Sequence, residues 1–240
     1  VVSNKTLDDF SDDSKIINTE FIEVNFPPPL DMKKWDAISG MGNVFHEPEK
    51  IEPIRQDKGT KYIIGIIAAQ KYAPKYIMPM DADDYISCNI VSFAEDSGHA
   101  DGYFINNGFA LSNSHIRHIY KNYNKFNGTC NIIGNHLLLD KIPINSLTVS
   151  SSQNDILHNV DGIFLTMILG AHPFTVKYYI ARSIWLIPIP FPGAVYNLSP
   201  SERHRSNLDK LRGFPAGAVI EFSQNFQDYV IKEFTIDNFN

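Results

Sequence analysis

The stretch DKGTKYIIGIIAAQKYAPKYIMPMDADDYIS, residues 57–87, decides the fold class. Its first half, residues 57–72, spaces apolar residues three and four apart, which predicts a helix with Asp57 as its N-cap. The apolar residues 75–80 then predict a strand that ends directly in the acidic run DADD, residues 81–84. A helix that leads into such a strand predicts an α/β fold: a mixed, mainly parallel sheet flanked by helices.

The rest of the chain fits the same class and predicts one domain over residues 1–240. Residues 150–155 and the irregular stretch 30–56 are expected to be loops, as is the acidic stretch 8–14. Proline-rich residues 187–196 must be extended, because proline breaks helices. The remaining predicted strands are residues 1–4, 19–25, 102–106, 110–112 and 174–182, and the remaining helices are residues 115–123, 162–171 and 223–233.

Composition narrows the class of protein. The 240 residues are 43% hydrophobic, which is enough for a packed core and excludes a disordered chain. A net charge of −6 gives no overall basic surface for nucleic acid. Two cysteines indicate a reducing, cytoplasmic location, and no segment is apolar enough to span a membrane, although a peripheral membrane contact stays open. The sequon-like Asn127-Gly128-Thr129 is interpreted as a turn.

The acidic run predicts a cation site. In an extended segment Asp81 and Asp83 point to the same side, so both carboxylates can converge on one ion. Hard oxygen ligands suit Mg²⁺ or Mn²⁺, which bind carboxylates together with substrate phosphates. Such an ion assists the departure of a phosphate-bearing leaving group. The alternative is that these aspartates only form a turn at the strand end.

Further stretches resemble the GT-A nucleotide-sugar glycosyltransferases, a family in which a strand ending in a DxD motif binds the donor. Residues 57–87 resemble the heart of that family, and similar segments follow along the chain up to about residue 206. These are DGYFINNGFAL (101–111), GTCNIIGN (128–135), HNVDGIFLTMILGAHPF (158–174) and PFPGAVYNLSPSERH (190–204). The family's first strand and helix have no counterpart at the start of the chain.

The resemblance implies a metal site and a donor. Asp81 and Asp83 stand at the DxD positions, Asp83 being the more direct metal ligand, and His204 completes the site. Asp84 would hold a ribose hydroxyl of the donor or a water molecule near the metal. The implied cofactor is Mn²⁺ or Mg²⁺, the donor is a UDP- or GDP-linked sugar, and the acceptor bears a hydroxyl group.

Other residues of the resemblance concern the nucleotide and the acceptor. Asp57, Lys58 and Lys61 would lie near the nucleotide, where a lysine offsets diphosphate charge. Asp161 aligns with the general base of inverting members, but Val160 replaces the usual glutamate.

Each of these assignments has a plain alternative. The two lysines are also typical solvated charges on a helix surface, and His204 lies among charged residues that fit a polar loop. Asp161 precedes an apolar helical stretch and would serve as an N-cap, and His158 is a competing base. Retaining and inverting mechanisms both stay open.

Two other classes of protein remain beside the transferase. One is a metal-dependent enzyme of phosphate chemistry, such as a sugar nucleotidylyltransferase or an aspartate-nucleophile phosphatase; the latter expects Thr or Val where Tyr85 stands. The other is a non-catalytic Ca²⁺-binding domain, although calcium gathers six to eight oxygens and the acidic run supplies few.

Overall fold

The computed structural model describes residues 1–4, 19–27, 48–98, 100–112, 115–197, 219–220 and 224–235. In these ranges the chain combines helices with small mixed sheets, which confirms the α/β class at a coarse level. Antiparallel pairs are as prominent as parallel ones among the described strands, so the expected mainly parallel sheet is not seen there. None of the helices in these ranges has both the length and the apolar content to cross a membrane.

Helices and strands are interspersed along the described residues. In order they are β1 (Val2–Ser3), β2 (Ile22–Glu23), α1 (Pro48–Ala69), β3 (Tyr76–Ile77), β4 (Tyr85–Ile86), α2 (Ile90–Asp96), β5 (Gly102–Phe104), β6 (Gly108–Ser112), β7 (His115–Ile119), β8 (Asn131–Gly134), α3 (Asn135–Leu139), α4 (Gln153–Asn159), α5 (Thr175–Ile180), β9 (Ile187–Pro188), β10 (Ala194–Asn197), β11 (Val219–Ile220) and α6 (Gln224–Phe234). Short 3₁₀ segments cover Gln70–Tyr72, Tyr123–Lys125 and His172–Phe174, and Phe164–Leu169 is π-helical.

The chain forms two compact units. The first comprises Val1–Ile77 and Asn135–Ala171, and the second comprises Met78–Gly134 and His172–Asn240. In the first unit β1 and β2 pair in parallel, as the sequence predicts strands there. The acidic stretch 8–14 lies outside the described residues.

Helix α1 begins earlier than the sequence predicts. It starts at Pro48, so Asp57 lies inside the helix and the prediction of Asp57 as its N-cap is wrong. Pro53 lies inside α1, past the first turn whose N–H groups lack partners, so it removes one internal hydrogen bond without ending the helix. The predicted end is confirmed: the 3₁₀ segment Gln70–Tyr72 follows, and Ala73 is left-handed with φ of 47°.

The core of the first unit lies between α1 and the segments that pack on it. Ile63, Ile64 and Ile66 of α1 are buried. The π-helical segment Phe164–Leu169 comes so close to α1 that a Cβ on Gly170 would stand 2.3 Å from the Arg55 carbonyl oxygen. Gly170 therefore permits a backbone contact that no other residue allows.

Polar contacts add to this packing. Gln70 and Asn135 exchange two amide hydrogen bonds of 3.0 and 2.9 Å between the end of α1 and the start of α3. Helix α4 begins with a capping box in which Ser152 and Asp155 satisfy each other's backbone N–H groups. The predicted loop 150–155 is thus shorter than expected.

The second unit contains two sheets. One has the strand order β11-β7-β6-β10-β4, with β6 and β7 forming an antiparallel hairpin and β10 parallel to β6. In the other, β5 pairs antiparallel with β8 and parallel with β9. The Ile189 N–H donates to the carbonyl oxygen of Phe104 in β5. The backbone nitrogen of the preceding residue, Pro188, therefore faces away from β5. Because proline has no N–H, it cannot donate a hydrogen bond to another strand on that side.

Two predicted elements have a different secondary structure: one predicted helix contains a strand, and one predicted strand contains a helix. Residues 115–123 form strand β7 and a 3₁₀ segment instead of a helix, because Ile116 and Ile119 are buried on opposite faces of the sheet. Residues 174–182 contain helix α5 instead of a strand, since the buried residues Thr175 and Tyr179 are four apart and share a helix face. In both cases the apolar spacing suits either structure, and the packing decides.

Helix α6 covers the sheet that carries β4. Its residues Val230 and Phe234 join a buried cluster with Phe109 and Val195, and Tyr85 of β4 packs against this cluster. The predicted final helix and the predicted extended segment 187–196 are therefore confirmed. Through Tyr85 the cluster supports the backbone next to the acidic run.

Candidate functional site

The acidic run forms a turn in the second unit, here called the acidic turn (Asp81–Asp84). The strand before it is shorter than predicted, Tyr76–Ile77, so the acidic run does not follow the strand directly. The Asp84 N–H donates to the Asp81 carbonyl oxygen at 3.3 Å, and β4 begins at the next residue. The inference that Asp81 and Asp83 share a side of an extended segment is therefore wrong, because the chain bends at these residues.

Asp84 is the buried acid of this turn. Its side chain is only 6% exposed, and its Oδ1 accepts a hydrogen bond from the Asn197 N–H at 3.3 Å. Its Oδ2 is buried with no hydrogen-bond partner among the described residues. Burial raises the pKa of Asp84 to about 7, and the charges of Asp81 and Asp83 contribute to this rise. Thr129 and Asn197 have the opposite effect and lower the pKa.

A buried polar network lies beneath the turn. The Asp81 N–H donates to Thr129 Oγ1 at 2.8 Å, and the Thr129 N–H donates to Asn127 Oδ1 at 2.7 Å. Asn127 Nδ2 in turn donates to the hydroxyl oxygen of Tyr123 at 2.6 Å. Burial raises the pKa of Tyr123 well above its usual range, and the charge of Asp84 raises it further, so this phenol stays protonated.

The loop after β4 is fixed by the last helix. The Glu233 carboxylate accepts hydrogen bonds from the Ser87 hydroxyl and from Asn89 Nδ2, and the Glu233 carbonyl accepts from the Cys88 N–H at 2.9 Å. The residues on the C-terminal side of the acidic turn are thus tied to α6.

The predicted nucleotide residues lie on α1 in the first unit. Lys61 Nζ pairs with Asp57 Oδ2 at 2.8 Å, one helical turn apart, and the Lys58 ammonium lies 5.6 Å from the centre of the Tyr62 ring. Asp57 Oδ1 is buried and has no hydrogen-bond partner among the described residues. Their nearness to a nucleotide stays a prediction.

The two candidate bases also belong to the first unit, and both are exposed. Asp161 Oδ1 accepts a hydrogen bond from the Phe164 N–H at 2.8 Å, so Asp161 caps the helical segment as the alternative interpretation expects. His158 Nδ1 lies 2.7 Å from the Asn154 carbonyl oxygen. Because a carbonyl only accepts, the proton sits on Nδ1, which leaves Nε2 of a neutral ring as the basic atom.

The structure thus groups the candidate residues by unit. Asp57, Lys58, Lys61, His158 and Asp161 belong to the first unit, and Asp81, Asp83 and Asp84 to the second. His204 lies outside the described residues. Within the described ranges, no group of three or more His, Cys, Asp or Glu side chains is placed to hold a metal ion.

Comparison with models of known protein families, with curated proteins and with solved structures gives no match. Function is therefore inferred from the chain's own residues.

Sequence reasoning missed the residues under the acidic turn. Asn127 and Thr129 are buried, and their hydrogen bonds, rather than turn geometry alone, account for the Asn127-Gly128-Thr129 pattern. Asn197 and Glu233 come from segments far along the chain. The polar residues Asn127, Thr129 and Asn131, at and just before the start of β8, are the signal in the sequence that points to a buried network.

Proposed function

We propose that the protein is a metal-dependent glycosyltransferase that moves a sugar from a UDP- or GDP-linked donor to an acceptor hydroxyl. The observation that supports this most is the buried Asp84 carboxyl: one of its oxygens has no hydrogen-bond partner among the described residues, and two further carboxylates lie in the same turn. Burying such a group is unfavourable unless a positive charge compensates it. The proposal also rests on the resemblance of residues 57–87 to the GT-A enzymes.

The acidic turn has the chemistry that a hard divalent cation prefers. Asp83 and Asp81 would provide carboxylate oxygens to the ion and His204 an imidazole nitrogen, while Asp84 would hold a ribose hydroxyl or a water molecule near the metal. Mg²⁺ is usually held by one or two carboxylates plus water and substrate phosphates, so a site with few protein ligands agrees with this metal. When bound, the ion would neutralise charge on the departing nucleoside diphosphate.

The chain's own residues supply the remaining roles. In the inverting form of the proposal, the Asp161 carboxylate accepts the proton of the acceptor hydroxyl. The hydroxyl oxygen then bonds to the anomeric carbon while the bond from that carbon to the diphosphate oxygen breaks. His158 Nε2 is the alternative proton acceptor. In the retaining form, Asp161 acts only as a cap.

The location is proposed along with the activity. The two cysteines, Cys88 and Cys130, form no disulfide with each other, which fits a reducing compartment such as the cytoplasm.

The test combines ligand binding with turnover. Unfolding temperature is measured with UDP or GDP, each with and without Mn²⁺ or Mg²⁺, and donor hydrolysis is scored over a panel of nucleotide sugars. A ligand at a hundred times its Kd stabilises the fold by about 2.7 kcal/mol, which a thermal shift resolves easily. We expect stabilisation that needs nucleotide and metal together.

Asp83→Ala should remove that joint stabilisation and the turnover while leaving the ligand-free unfolding temperature nearly unchanged. Asp96→Ala is the matched control, because Asp96 is an exposed acid of the same unit. Wild-type turnover in Asp83→Ala would refute the proposed site. Stabilisation by Ca²⁺ alone would favour the non-catalytic binding domain instead.

A further inference from the structure

Thr129 lies directly beneath the acidic turn. Its side chain is fully buried, and its Oγ1 accepts the Asp81 N–H at 2.8 Å. A hydroxyl has two acceptor sites, so Thr129 can hold the backbone of Asp81, the first residue of the turn.

Thr129 is itself held in place by buried groups. Its N–H donates to Asn127 Oδ1 at 2.7 Å, and Asn127 donates to the Tyr123 hydroxyl oxygen at 2.6 Å. The Asn127 N–H also donates to the Tyr123 carbonyl at 3.2 Å. These three residues are all fully buried, so the position of the Thr129 hydroxyl is fixed from below.

We infer that Thr129 is a positioning residue: its hydroxyl fixes the backbone of Asp81, the first residue of the acidic turn, in the position that the proposed diphosphate site requires. This inference rests on the proposed function. The acids of one turn repel each other, and the turn's own restraint is the hydrogen bond of 3.3 Å from the Asp84 N–H to the Asp81 carbonyl oxygen. The buried Thr129 hydroxyl adds a second restraint on Asp81 from a segment 48 residues away.

Thr129→Val and Thr129→Ser form a matched pair for the test. Valine keeps the volume and removes the hydroxyl, while serine keeps the hydroxyl and removes a methyl group. Thr166→Val is the control, because Thr166 is also buried but its hydroxyl bonds locally to the Gly162 carbonyl in the first unit.

Two measurements are made on each variant. Calorimetry gives the Kd of UDP or GDP in the presence of Mn²⁺, which we expect to rise about fivefold in Thr129→Val, the effect of losing one neutral hydrogen bond. Hydrogen exchange followed by NMR gives the protection of the Asp81 amide, which should fall at least about tenfold in Thr129→Val because that amide loses its acceptor. Thr129→Ser and Thr166→Val should resemble the wild type in both.

The outcomes separate this inference from the proposed function. Unchanged Asp81 exchange in Thr129→Val overturns the inference whether or not any nucleotide binds. An equal loss of affinity in the valine and serine variants also overturns it, since packing and not the hydroxyl would then matter. If the wild type binds no nucleotide in the presence of metal, the proposed function is wrong, and so is the role of Thr129 in positioning a diphosphate site. The exchange of the Asp81 amide still decides whether Thr129 holds the turn.

Discussion

Asp84→Asn should stabilise the ligand-free protein, and the gain should grow with pH. The Asp84 carboxyl is 6% exposed, and its pKa lies at about 7 instead of the ordinary 3.8. Burial disfavours the charged form, so the folded state retains a proton that the unfolded state has already released. Fold stability therefore decreases as pH rises from the unfolded value of 3.8 to about 7, and levels off above it.

The size of the effect follows from the pKa. At about 1.4 kcal/mol per pH unit, the penalty reaches at most about 4 kcal/mol above pH 7, of which about 1.4 kcal/mol accrues between pH 6 and pH 8. Asparagine carries no charge and still offers an oxygen to the Asn197 N–H, so it should remove the penalty without removing that hydrogen bond.

Urea unfolding followed by circular dichroism at pH 6, 7 and 8.5 measures the difference between the two proteins. Asp96→Asn is the control, because it neutralises an exposed acid of the same unit. If the unfolding free energies of the wild type and of Asp84→Asn change in parallel with pH, Asp84 is not the buried acid with a raised pKa described above. Saturating Mn²⁺ and nucleotide should reverse the preference and favour the wild type, since a cation close to the Asp84 carboxyl stabilises its ionised form.

Two further predictions concern the first unit. Gly170→Ala should destabilise this unit by about 2 kcal/mol, because the new Cβ would stand 2.3 Å from the Arg55 carbonyl oxygen. In the control Gly162→Ala the new Cβ meets nothing within 4 Å, so its stability should stay within about 0.5 kcal/mol of wild type. Equal unfolding midpoints for both variants would contradict the close backbone contact. Asp161→Ala should cost about 1 kcal/mol of stability through loss of the cap on Phe164, while Asp161→Asn keeps an acceptor and the stability. If Asp161 is the general base, Asp161→Asn also slows transfer about 100-fold with donor binding unchanged; full turnover would assign the proton to His158 or indicate a retaining mechanism.

The acidic turn shows how far sequence reasoning reaches at the candidate site. Three aspartates within four residues are visible in the sequence, and so is the chemistry of carboxylate oxygens. The sequence does not show that one of them, Asp84, is buried or that its pKa is raised. Asp84 comes close to Asn197 and Thr129 only after the chain has folded. Charge clustering is local, whereas desolvation depends on what packs over a residue.

By itself the sequence determined the α/β class, most of α1, the extended proline segment and the last helix. These features follow from local rules: apolar spacing over several turns and the fixed backbone of proline. Tertiary packing alone decided that residues 115–119 form a strand and residues 175–180 a helix, because both stretches are short and their apolar spacing fits either structure. It likewise decided that Thr129 and Glu233 support the acidic turn and its following loop, since hydrogen bonds between distant segments form only where the fold brings donor and acceptor together.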